Sequence, residues 1–230
     1  LLAGTAVMAV LGEPMLAMPL WITFLVLTVS AERLELSRMV GITRRGTAAF
    51  LVTACLLLIG AAPPIQALDA GLTLAAALVL MAAWLIVHDV ARHRLRLGGQ
   101  NAFMATAILC GHAWLVIAGS AMAAEPMLAQ MRDVSIHSIG IGLAVSMIMG
   151  HALIILPAVG GWRPIYRPAM YLPLVVLQVS VAARAAMDIW APDLRWTTGI
   201  LTVVSILSFA VLAAHGTRVM PRPTADQPDG

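Results

Sequence analysis

The chain has 230 residues, of which 61% are hydrophobic and 11% charged, with a mean hydropathy of +0.93; one soluble core of this length needs far less apolar side chain, so this is a membrane protein. Its formal net charge of +3 comes from fourteen basic residues, all arginine, against eleven acidic ones. Insertion topology accounts for that excess without nucleic acid. With no glycine-rich phosphate loop, no Ser-His-Asp order and no paired carboxylate inside a span, nucleotide and hydrolytic chemistry drop out.

Apolar runs of roughly 18 to 25 residues mark transmembrane helices. The first, Leu1–Leu11, is short and opens "LLAGTAVM" without methionine or charged leader, so residues upstream are expected to be missing. Seven spans follow: Ala17–Ser30, Thr47–Ala62, Gly71–His88, Phe103–Ala123, Ile136–Val159, Ala169–Met187 and Trp196–His215. Turn-like, partly charged breaks separate them, among them "AERLELSRMVGITRRG", "DVARHRLRLGGQN" and "GWRPIYRP". The expected fold is all-α, a polytopic bundle of about seven or eight spans. Residues 1–217 form one transmembrane domain, and residues 218–230, polar and proline-rich, form a disordered tail.

Alternate breaks hold Arg33, Arg38, Arg44 and Arg45, then Arg92, Arg94 and Arg96, then Arg163 and Arg167, then Arg218 and Arg222. The other side holds Arg132, Arg184 and Arg195. This eleven-to-three split is expected to put the first set, with the C-terminus, in the cytoplasm.

Few polar groups lie inside the spans: His112, His137, His151, Gln178 and Arg184. Ionisable groups at such depth are costly and face a bundle interior or a cofactor. His88, His93 and His215 fall where spans meet headgroups, which suits a solvated interface. Arg184 stands one turn before Asp188, so a snorkelling ion pair is the plain reading and a haem propionate the functional one. Cys55 and Cys110 have no spacing partner for zinc; copper or haem at Cys110, two residues before His112, is the sharper alternative to a small buried hydrophobe.

His137 and His151 are fourteen residues apart, about 40° around a regular helix and about 21 Å along it. They are expected to share a face, with Gly140 and Ala144 leaving room for a flat group. Gly142, Ser146 and Gly150 form a second, small-residue stripe for close packing, expected to seat other membrane subunits. His112 on the preceding antiparallel span lies nine residues in from Phe103, and His151 eight in from Val159, so both reach one depth in matching "GHAW" and "GHAL" contexts. Two such imidazoles suit the axial positions of a haem iron. The plain alternative is that each bonds a neighbouring group.

"HSIGIGLAVSMIM" at 137–149, "GHAWLVIAG" at 111–119 and the closing order of "GWRPIYRP", a span ending "AARAAMD" and a last span from Trp196 resemble the C-terminal half of the NnrS family. Those are polytopic haem- and copper-containing proteins linked to nitric oxide stress and distantly similar to haem-copper oxidases. The likeness covers roughly residues 100 to 220. His137 matches the histidine opening the family's penultimate conserved helix; the histidine that the family places shortly before "AWL" falls near Leu109 here, and His151 has no counterpart. A fourteen-residue histidine pair also resembles dihaem cytochrome b, although only one helix here carries it.

The resulting expectation is a multi-pass protein of the bacterial inner membrane that holds a b-type haem through His112 and His151, with His137 and Arg184 in supporting or second-site positions and copper as a further option. It would act in electron transfer or in handling a small diatomic gas; whether it is an enzyme stays open. The alternatives are a cofactor-free accessory subunit of a larger membrane complex, and a transporter with a broken helix near "ILPAVGGWRP".

Overall fold

A computed structural model describes residues 1–11, 14–160, 162–163, 165–215 and 218–219. The elements are α1 (Leu2–Leu11), α2 (Pro14–Met39), α3 (Arg44–Gly60), α4 (Pro63–Asp69), α5 (Leu72–His88), α6 (Ala91–Arg94), α7 (Gly99–Ala124), α8 (Met131–His137), α9 (Ala144–Gly160), α10 (Tyr171–Trp190) and α11 (Trp196–Ala214). Among the described residues five helices are long and apolar enough to cross a membrane, or up to seven candidate spans if each of two bent pairs counts as one. The protein is an all-helical, multi-pass membrane protein.

The first long helix differs most from expectation. α2 continues nine residues beyond Ser30, through "AERLELSRM". Charge lowers hydropathy but does not stop a helix: Leu, Glu and Arg are all good helix formers, and Glu35 and Arg38 pair one turn apart at 2.8 Å. Arg33, expected in a loop, is therefore inside the bundle and 2% exposed.

The two bends lie at α3–α4, turned by 83°, and at α5–α6, turned by 41°. Local chemistry accounts for both. Pro63 and Pro64 start α4, and Asp69 accepts the amides of Gly71 and Thr73 at 2.9 Å across the αL turn that begins α5. At the second bend the extended backbone of Asp89 ends α5, and its Oδ1 accepts the Ala91 amide at 2.8 Å. The break expected near "ILPAVGGWRP" is not there as far as Gly160: α9 runs through Pro157, while Gly161 and Pro164 lie outside the described residues.

α8 and α9 are one continuous helix interrupted by a π-helical turn at Ser138–Leu143. Such wide turns advance less than 100° per residue, so the phase computed for a regular helix does not hold across this one. His137 borders a small cavity with Ser180, Val181 and Arg184 of α10 and Thr198 of α11, and His151 meets Arg33 of α2.

α7 is the spine. It is the most buried of the five long spans, and it belongs to both cores: one with α2, α3 and α5, the other with α9, α10 and α11. The Gly142–Ser146–Gly150 stripe does lie against neighbours at close range, and the neighbours are the chain's own. A Cβ on Gly142 would meet the Trp114 ring at 2.5 Å, one on Gly150 would meet Met104 O at 3.2 Å, and Ser146 accepts Gln178 Nε2 of α10 at 2.9 Å. The face expected to seat partner subunits is thus covered by α7 and α10.

Residues 218–219, expected as disordered tail, pair antiparallel with residues 162–163, Trp162 opposite Val219 and Arg163 opposite Arg218. Arg167 also donates to His215 O at 3.1 Å. The connections after α9 and α11 therefore meet at one end of the bundle. Residues 220–230 lie outside the described residues.

Candidate functional site

Among the described residues, two clusters of ionisable side chains occupy the bundle. The larger is assembled from four elements. α2 turns Thr23, Ser30, Arg33 and Ser37 inward, all buried; steps of seven, three and four residues keep them on one arc of the helix. Arg33 Nη2 donates to Glu32 Oε1 at 2.8 Å and meets His151 Nε2 of α9 at 2.7 Å. His151 Nδ1 lies 2.6 Å from Met147 O. A carbonyl only accepts, so Nδ1 carries the proton, and the Nε2 lone pair receives Arg33.

His112 of α7 and Asp89 at the α5–α6 bend complete the cluster. Both are fully buried, with Nε2 and Oδ2 3.5 Å apart. That is too long for a hydrogen bond, and it is an ion pair only when the imidazole is protonated. Neither His112 ring nitrogen has a hydrogen-bond partner, nor do Asp89 Oδ2 and Arg33 Nε. Arg33 is within electrostatic reach of Asp89 and His112, and Arg94 of α6 adds a weaker positive field at Asp89. Unsatisfied polar atoms at this depth each cost about 1 to 3 kcal/mol, so a helix bundle with no use for them has reason to lose them.

The second cluster lies at the opposite end, where α8 meets α10. Arg184 reaches Asp133 Oδ2 at 2.7 Å through Nη2 and at 3.0 Å through Nε, and Asp188 Oδ1 at 3.1 Å. His137 Nδ1 sits 3.0 Å from Asp133 O and 3.2 Å from its Oδ2. The expected Arg184–Asp188 pair is present; Asp133, which ties α8 to α10, was not expected. Arg184 has both carboxylates as partners, and the network reads as a tether between helices.

The sequence-derived residues thus divide. His112 and His151 come to one cluster; His137 and Arg184 come to the other. His93 and His215 are exposed and His88 is half-buried, stacked on Trp84 at 5.0 Å. Cys55 is exposed and Cys110 half-buried. Among the described residues no three His, Cys, Asp or Glu gather as a metal site. Bis-histidine haem ligation needs two free nitrogens facing across an open slot. In this arrangement His151 Nε2 is taken by the Arg33 guanidinium, while His112 Nε2 faces the Asp89 carboxylate. As placed, the pair does not fit an iron between them.

Arg33 and Asp89 do not stand out in the sequence as bundle residues, because the charge around each places both in connecting segments. One signal was available for Arg33: Thr23, Ser30 and Ser37 repeat every seven residues, and an arginine on their arc belongs to a polar face. For Asp89 nothing in the local sequence says that the chain bends back into the bundle.

The profile of a protein family described as a domain of unknown function (DUF8744) matches residues 1–218. The chain belongs to this family. No curated protein and no solved structure matches it. The DUF8744 match covers both clusters, Glu32–Arg33–Asp89–His112–His151 and His137–Asp133–Arg184–Asp188.

Proposed function

We propose that this DUF8744 protein relays protons across the membrane, alone or coupled to a solute, through the Arg33–Asp89–His112–His151 cluster. One observation carries the reading: a fully buried imidazole whose two nitrogens lack hydrogen-bond partners, beside an equally buried carboxylate. Chains of Asp, Glu and His inside a bundle are the groups that proton pathways use. Charge supports it. Counting side chains in direct contact, Glu32 and Asp89 are negative and Arg33 positive, so one proton on Asp89, His112 or His151 neutralises the set. His112 and Asp89 lie 3.5 Å apart and His151 and Glu32 4.0 Å apart; Arg33 touches the second pair, holds the His151 tautomer and acts on the first pair through its field.

The arginine distribution supports an orientation with the ends of α2, α5, α9 and α11 in the cytoplasm, and the α3–α4 and α5–α6 pairs as bent spans bring the total to seven. We take the bilayer to be a bacterial inner membrane. Haem-based electron transfer or nitric oxide handling, the function the NnrS resemblance implies, is the second reading. It is favoured by the arrival of His112 and His151 at one cluster, and it requires Arg33 to leave His151.

The test is proton flux into liposomes under a potassium-valinomycin potential, for the wild type and for His112→Leu. A structural histidine would lose stability on replacement. His112→Leu removes two unpartnered nitrogens, so stability should hold or rise by about 1 kcal/mol while flux is lost. Unchanged flux in a folded His112→Leu protein refutes the relay. A pyridine haemochrome assay on the purified wild type decides the second reading: a haemochrome band establishes it, and a blank spectrum removes it.

A further inference from the structure

Serine and threonine in membrane helices usually donate back to the carbonyl four residues earlier. Thr28, Thr53, Thr106 and Ser120 do so here, at 2.8 to 2.9 Å. Thr23 and Ser30 of α2, Ser135 of α8 and Ser138 at the start of the π turn do not: each hydroxyl is buried without a partner. Nine side-chain nitrogen or oxygen atoms have that character among the described residues. Four are these hydroxyls and four belong to Arg33, Asp89 and His112; the ninth, Asp188 Oδ1, stands 3.1 Å from Arg184.

Their order along the helices is informative. A cavity of about 410 Å³ opens at the end of the bundle away from Arg44 and Arg92, lined by Met18, Pro19 and Ile22 of α2, Met122 of α7, and Ser135 and Ile136 of α8. At the other end of the same helix pair, Arg33 meets His151. α2 and the α8–α9 helix thus both lead from the cavity to the cluster in one direction. Thr23 follows Ile22 directly, Ser30 lies about 10.5 Å further on, and Arg33 about 4.5 Å beyond that. Ser135 lines the cavity itself, and Ser138 is one turn deeper.

Resting on the relay reading, we propose that the cavity and these four hydroxyls form a hydrated half-channel that delivers protons from the α4-bearing end of the bundle to Asp89 and His112. The hydroxyls supply donors and acceptors to a file of water leading inward from the cavity, whose lining also includes Gln66, Glu125 and Arg132. A proton enters as hydronium, passes along the file, leaves water behind, and settles between Asp89 Oδ2 and His112 Nε2. Arg33 is already protonated and cannot carry the proton, so release toward Glu32, 60% exposed and 4.0 Å from His151, runs through water between the Asp89–His112 pair and His151.

The test is thiol accessibility. In a protein carrying Cys55→Ser and Cys110→Ser, single Thr23→Cys, Ser30→Cys and Ser138→Cys substitutions are compared with Phe24→Cys, whose native side chain is 43% exposed on the lipid side of α2. The probe is silver ion added to oriented vesicles from the α4-bearing side. Thiolate forms in water and not in hydrocarbon, so the three test positions should react on the order of tenfold faster or more than position 24. Reaction at the rate of position 24 overturns the half-channel. Proton flux is read separately in the unmodified vesicles. Flux with unreactive thiols overturns the channel and spares the relay; reactive thiols without flux uphold the hydrated path and overturn the relay.

Discussion

Gly142→Ala tests the close approach of the π turn to α7, and its cost follows from distances. A Cβ at Gly142 lies 2.5, 2.8 and 2.9 Å from Cγ, Cβ and Cδ2 of Trp114. All three are below van der Waals contact, and the obstacle is the rigid root of an indole, so α7 and the π turn must separate. That motion strains a chain of hydrogen bonds, because Trp114 Nε1 donates to Gln178 Oε1 at 2.6 Å and Gln178 Nε2 to Ser146 at 2.9 Å. Overpacking of this kind costs about 1 to 3 kcal/mol, and a lost hydrogen bond adds about 1 kcal/mol. Alanine recovers up to about 1 kcal/mol of helix propensity. Gly140→Ala controls for that recovery: it sits in the same π turn, and nothing lies within 4 Å of its Cβ. Unfolding by sodium dodecyl sulfate from mild micelles should place Gly142→Ala about 2 kcal/mol or more below Gly140→Ala, the sum of the steric and hydrogen-bond terms. Equal stability of the two variants refutes the packing argument.

At the opposite cluster, Asp133→Ala should cost about 1.5 to 3 kcal/mol, since it removes the charged acceptor of two Arg184 hydrogen bonds and the tether between α8 and α10; His137→Ala, measured by the same unfolding, should cost less, because it loses a single contact pair at the edge of the network. Gly98 adopts φ +70° in the turn before α7, so Gly98→Ala should destabilise by about 1 to 3 kcal/mol although its Cβ would touch nothing, a loss visible in thermal aggregation curves. Thr43 caps α3 by accepting the Gly46 amide at 3.1 Å, and Thr43→Ala should lose about 1 kcal/mol in the same assay. Reporter fusions at Gly230 and Gln66 read topology: an alkaline phosphatase active at Gly230, or inactive at Gln66, contradicts a cytoplasmic C-terminus.

The all-helical membrane architecture was legible in composition and in the lengths of the apolar runs, because the bilayer demands both. Close packing at Gly142, Ser146 and Gly150 was legible too, since small residues four apart have few other uses in a span. What covers that stripe was not, because a stripe does not name its neighbour. Two further features escaped for physical reasons. Hydropathy treats a charged residue as an exit from the bilayer, so α2 was cut at Ser30 and Arg33 lost; its burial depends on His151, 118 residues away. The π turn at Ser138–Leu143 altered the helical phase, so His137 and His151 face different helices. The depth argument for His112 and His151 depended on no phase; His112 stands beside Asp89 and His151 beside Arg33, whose field reaches Asp89 and His112.

Proton flux through Asp89 tests the account most directly. Asp89→Asn keeps the Oδ1 cap on the Ala91 amide and removes the carboxylate charge facing His112. Purified wild type, Asp89→Asn and Glu35→Gln, the last altering only an exposed pair, are placed in liposomes with an entrapped pH dye, and a potassium-valinomycin potential is applied. The account predicts rapid acidification for wild type and Glu35→Gln and background leak for Asp89→Asn. Wild-type flux no greater than empty liposomes, or full flux in Asp89→Asn, contradicts it.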